Sequence, residues 1–333
     1  MAIEHPYLMF LGDAPDQLAA KTAQGVAHWR PEWCKGQFRL PGCNADLKLP
    51  EIATMAEAAE AGCRTVVIGV ANRGGVISEA WVEVLEQALD LGMDLAAGLH
   101  NRLAAVPRLR EAAARNGRQL FDVRHPTKDF AVAAGSKRPG KRLLTVGTDC
   151  SVGKMYASLA LAWEMDRRGM KVNFRATGQT GIFIVGEGVS VDAVIADFIS
   201  GATEWLTPAN EPDHWDVVEG QGSLFHASYA GVSLGLLHGS QPDALVLCHE
   251  PTRKHMRGLP DFSLPPLDLC MQRNEQMARL TNPDVRTIGI AVNTSGLESD
   301  AAHRYLREIE DTMDLPAVDP VRDGVASIVD RLE

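Results

Sequence analysis

Between Leu143 and Ala162 the chain reads LLTVGTDCSVGKMYASLALA: an apolar run, a turn rich in small residues, a Gly-Lys pair and a second apolar run. Residue types in that order suit the holding of phosphate, because backbone N–H groups of the turn, the positive end of a helix and a lysine ammonium converge on one anion. The phosphate-binding set is therefore Gly147, Thr148, Asp149, Cys150, Ser151, Val152, Gly153, Lys154 and Met155. Two positions depart from the common G-x-x-x-x-G-K-[ST] form. Thr148 stands where its first glycine would be, with Gly147 one residue earlier, and Met155 replaces the hydroxyl that ordinarily ligates Mg²⁺. A thioether is a poor ligand for so hard a cation. The loop is expected to hold phosphates without a metal, and to be ill suited to cleaving a triphosphate.

Four further segments follow apolar runs and so fall where open parallel sheets bind their ligands. They are ATGQTGIF (176–183), with Thr177, Gln179 and Thr180; VVEGQGSLFH (217–226), with Glu219 and His226; LCHEPTRKH (247–255), with His249, Glu250, Arg253 and His255; and AVNTSG (291–296), whose Asn293 could read an adenine edge. Each has a plainer reading as a solvated acid, a hydrogen-bonded histidine or a turn cap. Around one phosphate loop, function is favoured. GVANRGGVIS (69–78) is a weaker phosphate or turn candidate, and RPEWCKGQFR (30–39) reads equally as a lid or an ordinary loop.

The elements that must position these residues come in two halves. Strands over 7–12, 65–71, 94–100 and 119–124 alternate with helices over 77–92 and 101–117, the second running from Asn101 as N-cap to a stop at Asn116-Gly117. After the turn-forming, cationic AAGSKRPGK (133–141) the pattern restarts, with strands at 142–147, 171–177, 215–222, 243–250 and 285–293 and helices at 153–168 and 299–312. The fold class is α/β, with a Rossmann-like amino-terminal domain over 1–138 and a P-loop NTPase-like, parallel-sheet carboxyl-terminal domain over 139–333.

Composition narrows the partners. A net charge of −10 argues against nucleic acid as the main one. The six cysteines form no C-x-x-C pair, so neither a structural zinc site nor a disulfide framework is signalled, and no metal is expected. Neither a leader nor an apolar stretch of about 18 residues is visible, and a cytoplasmic protein away from the membrane is expected.

The variant spacing GTD-x-x-VGK is similar to the loop of dethiobiotin synthetase, which however follows its lysine with threonine. More extensively, the chain resembles a conserved P-loop family whose characterised members are D-glutamate N-acetyltransferases of the DgcN type. The resemblance is carried by KTAQGVAHWRPE (21–32), VVIGVANRGG (66–75), GTDCSVGKM (147–155), TGQTGIFIVGEGVSVDAVIADFISGATE (177–204), the run 218–253 and AVNTSGL (291–297), nearly the full length. It implies acetyl-CoA as donor, a D-amino acid as acceptor and an N-acetylated product that passes to a dehydrogenase in D-amino-acid catabolism. Coenzyme A carries phosphates that are held and not cleaved, which suits Met155.

On that reading the acceptor ammonium must lose a proton, so a base is needed. Glu219 and Asp149 lead, with His226 and His249 behind them. Arg175 and Arg253 are the arginines nearest the strand ends and the candidates for clamping a substrate carboxylate. Cys150, at a helix N-terminus, is the rival acyl acceptor, but direct transfer is expected, as it needs one positioned base and not two successive transfers. A homo-oligomer is expected. The alternatives are an ATP-dependent kinase or carboxylate-amine ligase of the dethiobiotin-synthetase type, against which Met155 weighs, and a nucleotide-binding regulator without chemistry.

Overall fold

Strands apolar on both faces belong inside a parallel sheet covered on both sides, and the computed structural model, which describes residues 3–70, 76–126 and 128–332, builds two such sheets in two units. In the first, the chain runs β1 (Tyr7–Gly12), α1 (Lys21–Trp29), β2 (Cys34–Arg39), α2 (Met55–Glu60), β3 (Thr65–Ile68), α3 (Glu79–Asp90), β4 (Asp94–Ala97), α4 (Pro107–Asn116) and β5 (Leu120–Asp122). The strands, all parallel, lie in the order β2-β1-β3-β4-β5. β1, β3 and β4 are buried along their whole length.

Most of these elements stand where the periodicity puts them. Helix α4 starts at Pro107, not after Asn101, since proline brings the φ of a first helical turn and has no N–H to leave unpaired. The preceding amides of Leu103 and Ala104 are taken by the Asp122 carboxylate at 2.6 and 3.2 Å. The helix ends at Gly117, left-handed at φ 62°. The undecided segment 30–39 is a short 3₁₀ turn followed by the edge strand β2. Its Gly36 is obligatory, because a Cβ there would lie 2.6 Å from the Pro50 carbonyl where residues 50–52 cross the edge. Of the candidate GVANRGGVIS, residues 71–75 lie outside the described residues.

The second unit runs β6 (Lys141–Gly147), α5 (Lys154–Arg167), β7 (Val172–Arg175), α7 (Ile199–Leu206), β8 (Trp215–Val218), α8 (Ala230–Ser240), β9 (Ala244–His249), the hairpin β10 (His255–Met256) and β11 (Leu259–Ser263), α9 (Leu267–Ala278), β12 (Arg286–Val292), α10 (Ser299–Met313), β13 (Ala317–Val318) and α11 (Ala326–Val329). Its parallel sheet has the order β13-β12-β9-β6-β8-β7. From β6 the chain goes first to β7 and β8 on one side, then to β9, β12 and β13 on the other. The carboxyl end of β6 is therefore the topological switch point. Ala157, Leu161 and Met165 of α5 pack on Leu143, Val217 and Val246 of the sheet, with Ile328 and Val329 of α11 beside them. Among the described residues no helix is long and apolar enough to cross a membrane.

The change of unit falls at 128/129, ten residues before the break expected at 138/139, and residues 178–193 belong with the first unit. Residues 129–138 lack apolar periodicity, yet the second unit satisfies them. Glu204 accepts from Ala134 N and Gly135 N, Arg138 donates to Thr207 O and Gly239 O, and Lys137 reaches Asp243 at 2.8 Å. Helix α6 (Gln179–Val185) packs on α1. Around it Tyr7 Oη donates to Phe183 O at 3.3 Å, Arg30 Nε to Ile184 O at 3.0 Å and Ile3 N to Gly186 O at 3.3 Å.

Candidate active site

Strand β6 stays buried to its last residue, Gly147, and α5 begins at Lys154 with Gly153 as its N-cap at φ 101°. Ser151, two residues earlier, is also left-handed at φ 54°, strain of about 1–3 kcal/mol that a loop keeps only when its surroundings impose it. Lys154 lies along the loop, 6% exposed, and its Nζ donates to Asp149 O at 2.7 Å. Burial holds its pKa below the usual lysine range. A Cβ on Gly147 would come within 3.2 Å of that ammonium, and one on Gly220 within 1.7 Å of Thr145 O and 3.0 Å of Lys154 Cδ. These two glycines give the lysine its channel. Gly220 N donates to Thr145 Oγ1 at 2.9 Å, which joins the end of β8 to β6.

The outer side of the loop is braced by charge. Asp149, fully buried, accepts from Cys150 N on Oδ1, and from Arg253 Nη1 and Arg257 N on Oδ2, the last two at 2.8 Å. Arg253 also donates to Cys150 O, to Ser151 O at 3.2 Å and to Glu250. His226 accepts from Ser228 N on Nδ1, so its Nε2 carries the proton and donates to Arg257 O at 3.0 Å. Asp149, Cys150 and His226 bring ligand-type atoms within 4.8 Å of one another. That set does not suit a cation, since the carboxylate is already spent on a guanidinium and both imidazole nitrogens are bonded.

On the other side, Glu219 directly follows β8, with 3% exposure. Its Oε2 accepts from Thr177 N at 3.0 Å, while Thr177 Oγ1 donates to Glu219 O and receives Gln221 Nε2 at 3.2 Å. At the end of β9, His249 lies with Nδ1 3.1 Å from Thr148 Oγ1 and Nε2 3.1 Å from Tyr305 Oη. Burial, helped by the Arg253 charge, brings its pKa down to about 4, so it is neutral at pH 7. The Cys150 thiol is pushed up by burial despite the nearby Lys154, Arg253 and Arg257. Beside Gly153 a cavity of about 230 Å³ opens, lined mainly by Val152, Tyr156, Ala291, Asn293, Pro320 and Val321. Asn293 accepts from Ser295 N on Oδ1 at 3.1 Å, and its amide nitrogen has no partner among the described residues.

Two family models match the chain, one on each side of residues 127–129. One, described as a domain of unknown function (DUF1611_C), P-loop domain, matches residues 130–329, and the other, a domain of unknown function (DUF1611_N), Rossmann-like domain, matches residues 38–126. The chain belongs to the DUF1611 family. A protein of Tritonibacter scottomollicae named D-glutamate N-acetyltransferase is 58% identical to it over 99% of both chains. A protein of a Pseudoalteromonas species with the same name is 50% identical over 100% of both. The crystal structure of a DUF1611 family protein from Anabaena variabilis superposes with a TM-score of 0.87 at 32% identity, over 99% of both chains.

In this DUF1611 chain the loop residues, Thr177, Glu219, His249 and Asn293 gather at the switch point of the second sheet, whereas Gln179 belongs to the first unit, against Gly98. Several of the expected site residues have partners within the protein. Arg253 is no free clamp for a substrate carboxylate, because its fork is taken up by Asp149, Glu250 and two loop carbonyls. Arg175 gives its Nε to Asp216 at 2.7 Å, and Asp216 pairs in register with Arg142, five residues before Gly147, about 16 Å down the strand. Asp149 is paired with Arg253, and the one lone pair of His226 Nδ1 accepts from Ser228 N. Sequence reasoning missed Gly220, Gln221, Tyr156 and Tyr305. The first two had a signal in the doubled glycines of EGQG, while the tyrosines sit on helices whose spacing gives no hint of the loop.

The His249 pKa carries a testable consequence. Its folded value lies below the unfolded 6.5, so the unfolded chain binds more protons between pH 6.5 and about 4 and stability falls as pH drops through that window. The loss is up to about 3 kcal/mol. Urea unfolding at pH 7 and pH 5 should show a smaller difference in His249→Asn than in the parent. Equal differences would place the titration elsewhere.

Proposed function

We propose that this chain transfers the acetyl group of acetyl-CoA to the α-amino group of D-glutamate. The observation that carries the reading is the phosphate loop with Met155 in the place of the metal-binding hydroxyl, opening on a cavity beside Gly153, in a chain 58% identical over its length to a D-glutamate N-acetyltransferase. The loop holds the pyrophosphate on its amides and Lys154. The cavity, apolar but for Tyr156, Asn293, Ser295 and Asp319, receives the adenine. A ligand held in this way needs no metal, because no phosphoryl group moves.

Glu219 is the base. It takes a proton from the ammonium, the freed amine attacks the thioester carbonyl, the C–S bond breaks, and the departing CoA thiolate takes up the second proton, shed by the acylated nitrogen. Thr177 N orients the carboxylate. Asp149, Arg253 and His226 hold the loop in shape, and His249 fixes Thr148. Cys150 has no covalent part, its raised pKa leaving little thiolate to act as nucleophile. The N-acetylated product then suits oxidation by a dehydrogenase in D-amino-acid catabolism.

Incubating the protein with acetyl-CoA and D-glutamate should release one free thiol per N-acetyl-D-glutamate formed, without added ATP or Mg²⁺. Cys150→Ala should keep this activity, and the parent quenched after exposure to acetyl-CoA alone should have an unaltered mass. An acetyl adduct on Cys150 together with an inactive variant would replace direct transfer by a relay. A strict requirement for ATP and Mg²⁺ would favour the kinase or ligase reading.

A further inference from the structure

The β10–β11 hairpin turns at Gly258, left-handed at φ 78°, beside the phosphate loop. Its backbone is pinned there, since Arg257 N donates to Asp149 Oδ2 at 2.8 Å and Arg257 O accepts from His226 Nε2 at 3.0 Å. Arg253, at its base, is committed to the loop. The Lys254, His255 and Arg257 side chains are not: all three are exposed, and among the described residues none lies within hydrogen-bond or ion-pair distance of them. Elsewhere several exposed cations of this acidic chain pair with carboxylates, as at Arg108, Arg115, Arg167 and Lys171. On a chain of net charge −10, Lys254 and Arg257 without a carboxylate partner make a local positive field. They border an open depression of about 550 Å³ lined by residues 253–260.

We propose that Lys254, His255 and Arg257 form a second phosphate subsite, which takes the 3′-phosphate of a coenzyme A-type ligand whose pyrophosphate lies in the loop. The inference rests on the reading of the loop as the donor site. A phosphomonoester carries nearly two charges and three acceptor oxygens, which match a lysine point charge and an arginine fork. It is also the group that separates coenzyme A from an ordinary adenosine diphosphate. The hairpin thus supplies specificity for the donor where the loop supplies affinity for any pyrophosphate.

Calorimetry with CoA and with dephospho-CoA, which differ only in that phosphate, tests it on the full chain. The parent should bind CoA tighter by about tenfold or more. In the double variant Lys254→Ala/Arg257→Ala the ratio should fall close to one through loss of CoA affinity, with dephospho-CoA binding unchanged. The pair Lys254→Arg/Arg257→Lys should keep most of the ratio. A ratio near one in the parent, or an undiminished ratio in the alanine variant, overturns the subsite and leaves the loop reading standing. Loss of dephospho-CoA binding in the alanine variant would move the cations to the pyrophosphate and overturn the 3′ assignment. Binding of neither ligand by the parent overturns the loop reading, and the subsite with it.

Discussion

Replacing Glu219 by glutamine is expected to lower kcat by about two to four orders of magnitude while leaving the affinity for acetyl-CoA intact. The amide keeps the volume of the carboxylate and can still accept from Thr177 N, the contact that orients the side chain at 3.0 Å. It cannot take the proton of the acceptor ammonium. A compensating rise in rate at high pH, where more of the amino acid is already deprotonated, would separate loss of a base from loss of structure. If the glutamine variant turns over at the parent rate at neutral pH, Glu219 is not the base, and the nearest remaining candidate is His249. Its pKa of about 4 makes it a weak one, and Thr148 and Tyr305 occupy both its nitrogens.

Lys154→Ala is expected to weaken acetyl-CoA binding by about 1.5–3 kcal/mol, the worth of a hydrogen bond to a charged group. In Kd that is about ten- to 150-fold. The lysine is almost fully buried, and its ammonium is held at the loop by Asp149 O. Burial already disfavours the charged form, so a bound pyrophosphate would restore what desolvation takes away. The variant should therefore lose donor affinity without a matching loss for D-glutamate. Acetyl-CoA bound as tightly as in the parent would mean that the loop is not the donor site, and the reading of the function would have to be rebuilt from another cavity.

Much of the fold was legible before the structure. β6, β9 and β12 are runs of buried aliphatic residues that only a covered parallel sheet accommodates, and their bounds agree with the expected strands to within a residue or two. Helices α3, α5 and α10 carry apolar residues at helical spacing and were equally visible. β2 was not: Cys34, Gly36 and Phe38 do alternate with Lys35, Gln37 and Arg39, but six residues with a glycine among them and a proline just upstream read equally as a loop. Helix α8 was hidden for the opposite reason: its residues are apolar or small all round, with no polar face to reveal its period.

At the site, sequence by itself determined the phosphate loop, since the cradle is built from backbone, glycines and one lysine contiguous in the chain. It also determined the absence of a hydroxyl at Met155, and with the resemblance it carried, the class of reaction. What tertiary structure alone decided is which charged residues meet one another. Asp149, Arg253 and Glu219 look equally available along the chain, as acids and an arginine close to strand ends. Only folding brings Arg253 across 104 residues onto Asp149, where the pair braces the loop. The same folding sets Glu219 beside Thr177 and isolates the cations of the hairpin. The reason is physical: a residue's type fixes what it can donate or accept, but whether that capacity is already spent depends on neighbours distant in sequence, and a buried charge is seldom left without one.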